Sequence, residues 1–260
     1  MYTIVNPPIL LFLSLLFFIL GSVVGSFLNV IIDRFATNRS VTKGRSYCES
    51  CKKTLGPIEL VPILSYLFLR GRCRHCKAQI PPRILLVELG CAIALLFLYM
   101  QFGLSVVFII LALIVFTSIA IFFIDLEYGI IPDKLTIFLT LVAVIYVYVG
   151  DFDPLNHLQA ALGALLFFAA LYFFTKGRGM GFGDVKISFA LGLILGFPMV
   201  IYGLYLAFLT GATVSIILVL WKKKSFRTGT VPFGPFLVGS TVFALLFGEK
   251  VILPIARMIF

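Results

Sequence analysis

Acidic side chains are scarce in this chain: 11 Asp and Glu in 260 residues, against 21 Lys and Arg. Histidine is scarcer still, with only His75 and His157. So few histidines make a Ser-His or Cys-His nucleophile hard to assemble. A Ser-Lys pair fares little better, because the lysines lie at segment boundaries with no obvious serine beside them. No His-Glu-x-x-His run occurs, which excludes that zinc-hydrolase motif. No basic face outside the apolar segments is interleaved with aromatics, which argues against nucleic acid as a partner.

Apolar residues fill the space the charges leave. They make up 61% of the chain, and the mean hydropathy is +1.13. A soluble domain is nearer half apolar. A membrane span needs roughly 20 predominantly apolar residues. Such runs occur about eight times, near 9–32, 84–101, 104–124, 135–150, 157–175, 185–200, 201–221 and 231–248. The expected fold is all-α, a polytopic membrane protein of about eight transmembrane helices in the lipid bilayer. The first run has no basic stretch before it and no Ala-x-Ala site after it, so it reads as a retained span.

Charge placement sets the expected orientation. Eleven of the 21 basic residues lie between Arg34 and Arg83. Four more are Lys222, Lys223, Lys224 and Arg227; Lys176, Arg178 and Lys186 flank a Gly-rich stretch, and Lys134 follows Asp133. With eight spans and an external N-terminus, all of these fall on one side. Asp151, Asp153 and the bare turns near 102 and 200 fall on the other. Positive loops face the cytoplasm. They also suit contact with anionic lipid.

Four of the five cysteines form two knuckles: Cys48-x2-Cys51, then 21 residues, then Cys73-x2-Cys76. This spacing is a zinc signal, since four thiolates complete a closed tetrahedral site. Lys52, Lys53, Arg72 and Arg74 would favour the ionised thiolates. A closed site leaves no place for a substrate water, so the zinc is expected to be structural. Two disulfides or four free thiols are the alternatives, and a cytoplasmic position disfavours the disulfides. His75, inside the second knuckle, reads as a bystander, and Cys91 reads as core. The expected organisation is a first transmembrane helix at 9–33, a cytoplasmic zinc-binding domain with the four cysteines at 34–83 and a multi-helix membrane domain at 84–260.

Carboxylates remain as the groups for chemistry. Asp125 ends one apolar run and Asp184 opens another, and the span count brings both to one membrane face. Within hydrogen-bond reach the two could not easily both ionise. One would then serve as base on a water while the other, protonated, polarised a peptide carbonyl. Gly177, Gly179, Gly181 and Gly183 suit a loop where backbone approaches a substrate closely. Spacing alone leaves other readings open. Asp184 and Asp133 could cap the helices that follow them, Asp125 could be a solvated helix end, and the pair could relay protons in a transporter.

The motifs taken together resemble one family. Gly181-Phe182-Gly183-Asp184 matches the Gly-x-Gly-Asp signature of prepilin peptidases, the membrane aspartic proteases that mature type IV pilins and pseudopilins. The stretch from Asp125 to Asp133, Asp-Leu-Glu-Tyr-Gly-Ile-Ile-Pro-Asp, resembles the segment bearing the family's first catalytic aspartate. Gly25-Ser-Phe-Leu-Asn-Val-Ile-Ile-Asp-Arg34 is similar to its N-terminal signature. The knuckles, Pro62-Ile-Leu-Ser-Tyr66 and Glu88 resemble its cytoplasmic domain and the span that follows. The resemblance implies catalysis by Asp125 and Asp184, with Asp133 only a helix-start residue. It implies cleavage of prepilin or pseudopilin leaders after a Gly at the cytoplasmic face of the bacterial inner membrane. It also implies methylation of the new N-terminus with S-adenosylmethionine, because members carrying the N-terminal signature and the cysteine domain are the bifunctional kind.

Overall fold

The computed structural model describes residues 7–36, 44–177, 179–221 and 231–248. Arg39, Lys43, Arg178, Lys222, Lys223, Lys224, Arg227, Lys250 and Arg257 lie outside the described residues, as does part of the expected zinc-binding domain. Among the described residues there are helices and no strands. The long helices are α1 (Pro7–Ala36), α3 (Pro82–Phe102), α4 (Val106–Tyr128), α5 (Asp133–Val149), α6 (Pro154–Phe174), α7 (Phe182–Leu195), α8 (Met199–Leu220) and α9 (Gly234–Phe247). A 3-10 turn (Pro57–Leu60) and the five-residue helix α2 (Leu64–Phe68) lie between α1 and α3.

Each of the eight apolar runs forms a helix. Five of them, α1, α3, α4, α6 and α8, are long and apolar enough to cross a membrane. The chain is thus a multi-pass membrane protein. The other three are shorter: α5 has 17 residues, and α7 and α9 have 14 each. At 1.5 Å per residue α7 extends about 21 Å, less than a hydrocarbon core of about 30 Å.

Two compact units divide the chain, residues 1–120 and 121–260. In the first, α1 packs along α3. The close approach comes from Gly21 and Gly25, spaced as in small-xxx-small membrane packing. A Cβ on Gly21 would lie 2.6 Å from the Cys91 carbonyl, and one on Gly25 would lie 2.7 Å from Glu88 Cα. Phe17 stacks on Tyr99 at 4.4 Å. Below this contact polar groups join the helices: Asn29 Nδ2 donates to the Ile84 carbonyl at 3.0 Å, and Arg83 pairs with Asp33. The buried Arg83 guanidinium is thus paired with a half-exposed carboxylate, which offsets the cost of burying its charge.

In the second unit α7 is the central helix. Beyond Lys186 it is apolar apart from the buried Ser188, as a helix stretch packed by neighbours must be. Its Gly192 lets α6 approach: a Cβ there would sit 2.6 Å from the Ala160 carbonyl. His157 lies buried on α6, with Nδ1 2.8 Å from the Leu193 carbonyl. This partner accounts for one of the two histidines without chemistry. Phe168 and Phe208 stack at 6.1 Å to join α6 and α8.

Candidate active site

Asp125 lies near the C-terminal end of α4 and Asp184 in the first turn of α7, both in the second unit. Each is only 5% exposed, so neither is a solvated helix end. The two carboxylates are close enough to interact electrostatically. Asp184 is the third residue of its helix, and its Oδ2 accepts from the Gly181 amide at 3.2 Å. That bond satisfies one of the free N–H groups at a helix start. The capping role and the burial beside Asp125 therefore coexist in one side chain. The Gly234 amide, at the start of α9, faces the Asp125 carboxylate.

Glycines make this proximity possible. A Cβ on Gly234 would collide with Asp125 Oδ2 and would lie 3.0 Å from Ile131 Cδ1. A Cβ on Gly183 would lie 3.0 Å from Ile131 Cβ. The turn after α4, α7 and α9 therefore meet around Ile131 and the two carboxylates. Gly177 is the loop glycine with a positive φ, +70°, in the region where glycine carries no steric cost. Asp133 is elsewhere: it opens α5, is exposed, and pairs with Lys186 Nζ at 2.7 Å.

An open groove of about 360 Å³ runs between α6, α8 and α9, and neither aspartate lines it. Its lining includes Gly179, Met180, Phe208, Gly211, Val231 and Phe233.

In the first unit the four cysteines converge. Cys48, Cys51, Cys73 and Cys76 offer sulfurs that all lie within 4.8 Å of one another. The knuckles repeat one backbone design 25 positions apart. Tyr47 bridges Thr54 as Arg72 bridges Gln79. The Lys52 and Lys77 amides each reach back to the first cysteine of their knuckle, at 2.8 and 3.0 Å. Both lysines take a positive φ, 56° and 61°. N–H groups of Cys76 and His75 point at the Cys73 sulfur and lower its thiol to about 7, toward the ligating thiolate. Four ligands at ~2.3 Å would put tetrahedral sulfurs about 3.8 Å apart. Cys48 and Cys76 sulfurs are 3.8 Å apart. The group is therefore shaped to hold a metal ion. His75 lies outside it, 3.9 Å from Glu59. Cys91 is fully buried in α3.

Residues 19–102 match the model of the bacterial peptidase A24 N-terminal domain, and residues 111–216 match that of the type IV leader peptidase family. The prepilin leader peptidase/N-methyltransferase of Aeromonas hydrophila is 32% identical over 267 residues, covering 91% of each chain. Proteins of the same name from Bacillus subtilis (strain 168) and Legionella pneumophila are 32% and 31% identical, covering 92% and 96% of this chain and 96% of each relative. The chain belongs to the type IV leader peptidase family. No solved structure matches it.

For this leader peptidase family member, Gly234 and Ile131 are the site residues that sequence reasoning missed. Gly234 stands between Phe233 and Pro235 in a Val-Pro-Phe-Gly-Pro run. A Gly-Pro pair at the head of an apolar segment marks a turn, the kind of place where backbone can come close to a neighbour. Ile131 carries no signal in a chain so rich in isoleucine.

Proposed function

We propose that the chain cleaves the leader of type IV prepilin or pseudopilin precursors with Asp125 and Asp184, and then methylates the new N-terminus. The observation that carries the peptidase reading is the burial of two interacting carboxylates on different helices, with backbone glycines against them. Two such groups share one proton more readily than they bear two charges. The ionised carboxylate takes a proton from water, and the water oxygen bonds to the scissile carbonyl carbon. The protonated carboxylate donates to the carbonyl oxygen as it gains charge. Collapse of that intermediate breaks the C–N bond, and the proton passes to the leaving amine. Glycines around the pair leave room for a peptide backbone. The basic loops support a cytoplasmic position for the site in the plasma membrane.

The cysteine cluster is proposed to hold zinc in a structural role. Four thiolates satisfy the ion and leave no site for water, so no cleavage step runs through it. It would hold together a segment with little core of its own. The methyl donor is proposed to be S-adenosylmethionine, from the relatives' N-methyltransferase names. Its methyl group would form the new N–C bond as the sulfonium C–S bond breaks and the amine loses a proton.

Purified enzyme in proteoliposomes tests this with a prepilin peptide carrying a basic leader. Mass spectrometry should show loss of the leader and, with methyl donor, gain of one methyl group. The Asp184→Asn enzyme should leave full-length prepilin unprocessed yet methylate a pre-cleaved peptide. Intact prepilin after incubation with the wild-type enzyme would defeat the peptidase reading. No methylation of the pre-cleaved peptide by the wild-type enzyme, with methyl donor supplied, would reduce the chain to a peptidase only.

A further inference from the structure

The stretch from Pro57 to Leu69 is built unlike the surface of a water-facing domain. Ile58, Leu60, Val61, Leu64, Leu67 and Phe68 are all exposed, Phe68 to 83%. The stretch holds one charged residue, Glu59. That side chain is turned inward, 8% exposed, and accepts from the Gly56 amide at 2.8 Å. An exposed apolar patch without charges marks a lipid or protein contact.

Its depth points to lipid. The Ile63 amide donates to Glu88 Oε2 at 2.7 Å. Glu88 is on α3, itself long and apolar enough to span. It stands six residues into the helix, about 9 Å along its axis. Interfacial helices bury their apolar face ~5–10 Å below the headgroups. The hydrogen bond therefore sets the start of α2 beside the second turn of this apolar, membrane-capable helix. Beside it, Phe68 and Leu69 share an open notch of about 540 Å³ with Arg70, Arg72 and Lys77. No carboxylate pairs with these three cations among the described residues.

We infer that this segment of the cysteine module is embedded in the bilayer interface and binds an anionic phospholipid, with acyl chain on Leu64, Leu67 and Phe68 and headgroup phosphate in the Arg70–Arg72–Lys77 notch. The module is then fixed on the membrane by this wedge as well as by α1 and α3.

Trp221 is the only tryptophan, which allows a direct test on the full chain. In a Trp221→Phe background, Phe68→Trp or Leu67→Trp is reconstituted with lipids brominated on the acyl chains. The inference predicts loss of Trp emission at both positions and none for Lys53→Trp on the exposed side of the first knuckle. Unquenched emission at both 67 and 68 would overturn it, including the case of a blue-shifted signal that a second copy or a peptide would give. The headgroup arm compares phosphatidylglycerol with phosphatidylcholine in detergent. Basic side chains contribute roughly fivefold each at an anionic surface, so Arg70→Gln/Arg72→Gln/Lys77→Gln should weaken phosphatidylglycerol binding about a hundredfold. Inorganic phosphate should not compete at equal concentration. Equal phosphatidylglycerol binding by wild type and triple variant, or displacement by phosphate alone, would also overturn the assignment.

Discussion

Gly234 lies so close to Asp125 that any side chain at position 234 would occupy the space of the carboxylate. The first prediction follows from that contact. Gly234→Ala must displace Asp125 or α9, and an error of about 1 Å in a catalytic group costs about 10²-fold in rate. Cleavage by Gly234→Ala should therefore fall by about that factor while insertion and metal content hold. Steady-state kinetics on a leader peptide measure it, and a rate near wild type would show that the Asp125 carboxylate has no catalytic placement to lose.

Asp133 should behave differently from its neighbour in the same motif. It is exposed and pairs with Lys186 on the surface. Surface ion pairs contribute ~0–1 kcal/mol. Asp133→Asn should keep most of the cleavage activity and shift the midpoint of thermal unfolding little. The same peptide assay and a melting curve check both parts.

Purified protein should contain about one zinc per chain, from one four-thiolate site. Cys48→Ser should lower the metal content and open the segment from Gly44 to Pro81 to protease. Elemental analysis of freshly reduced protein decides the matter. Absence of zinc together with four reactive thiols would reject the metal reading.

Helix packing in the first unit gives a stability contrast. Gly21→Ala meets the Cys91 backbone, whereas a Cβ on Gly90 meets nothing within 4 Å. Overpacking typically costs about 1–3 kcal/mol. Gly21→Ala should therefore lower the unfolding midpoint in detergent clearly more than Gly90→Ala does. Equal midpoints would mean that α1 does not press on α3.

The helices were legible because long apolar runs bounded by charges, Gly and Pro leave few alternatives, and each run became a helix. Their lengths were less legible. The run near 185–200 stops at Gly196, where φ is +65°, so α7 ends after 14 residues. The sequence pointed to Asp184 through its glycines and to the cysteines through their spacing. It carried no sign that Ile131 would sit between Gly183 and Gly234, because that contact joins three separate elements and depends on packing alone. The wedge at 57–69 was hidden for a related reason. The sequence alone does not tie Ile63 to Glu88, because that hydrogen bond joins residues 25 positions apart.

The most direct test of the proposed chemistry is the rate of leader cleavage by Asp125→Asn, Asp184→Asn and the double variant, each verified as inserted and metal-loaded. Groups that act as a unit lose function together. The proposed mechanism predicts that each single variant abolishes cleavage and that the double variant is no worse than either. Cleavage close to the wild-type rate by either single variant would contradict it.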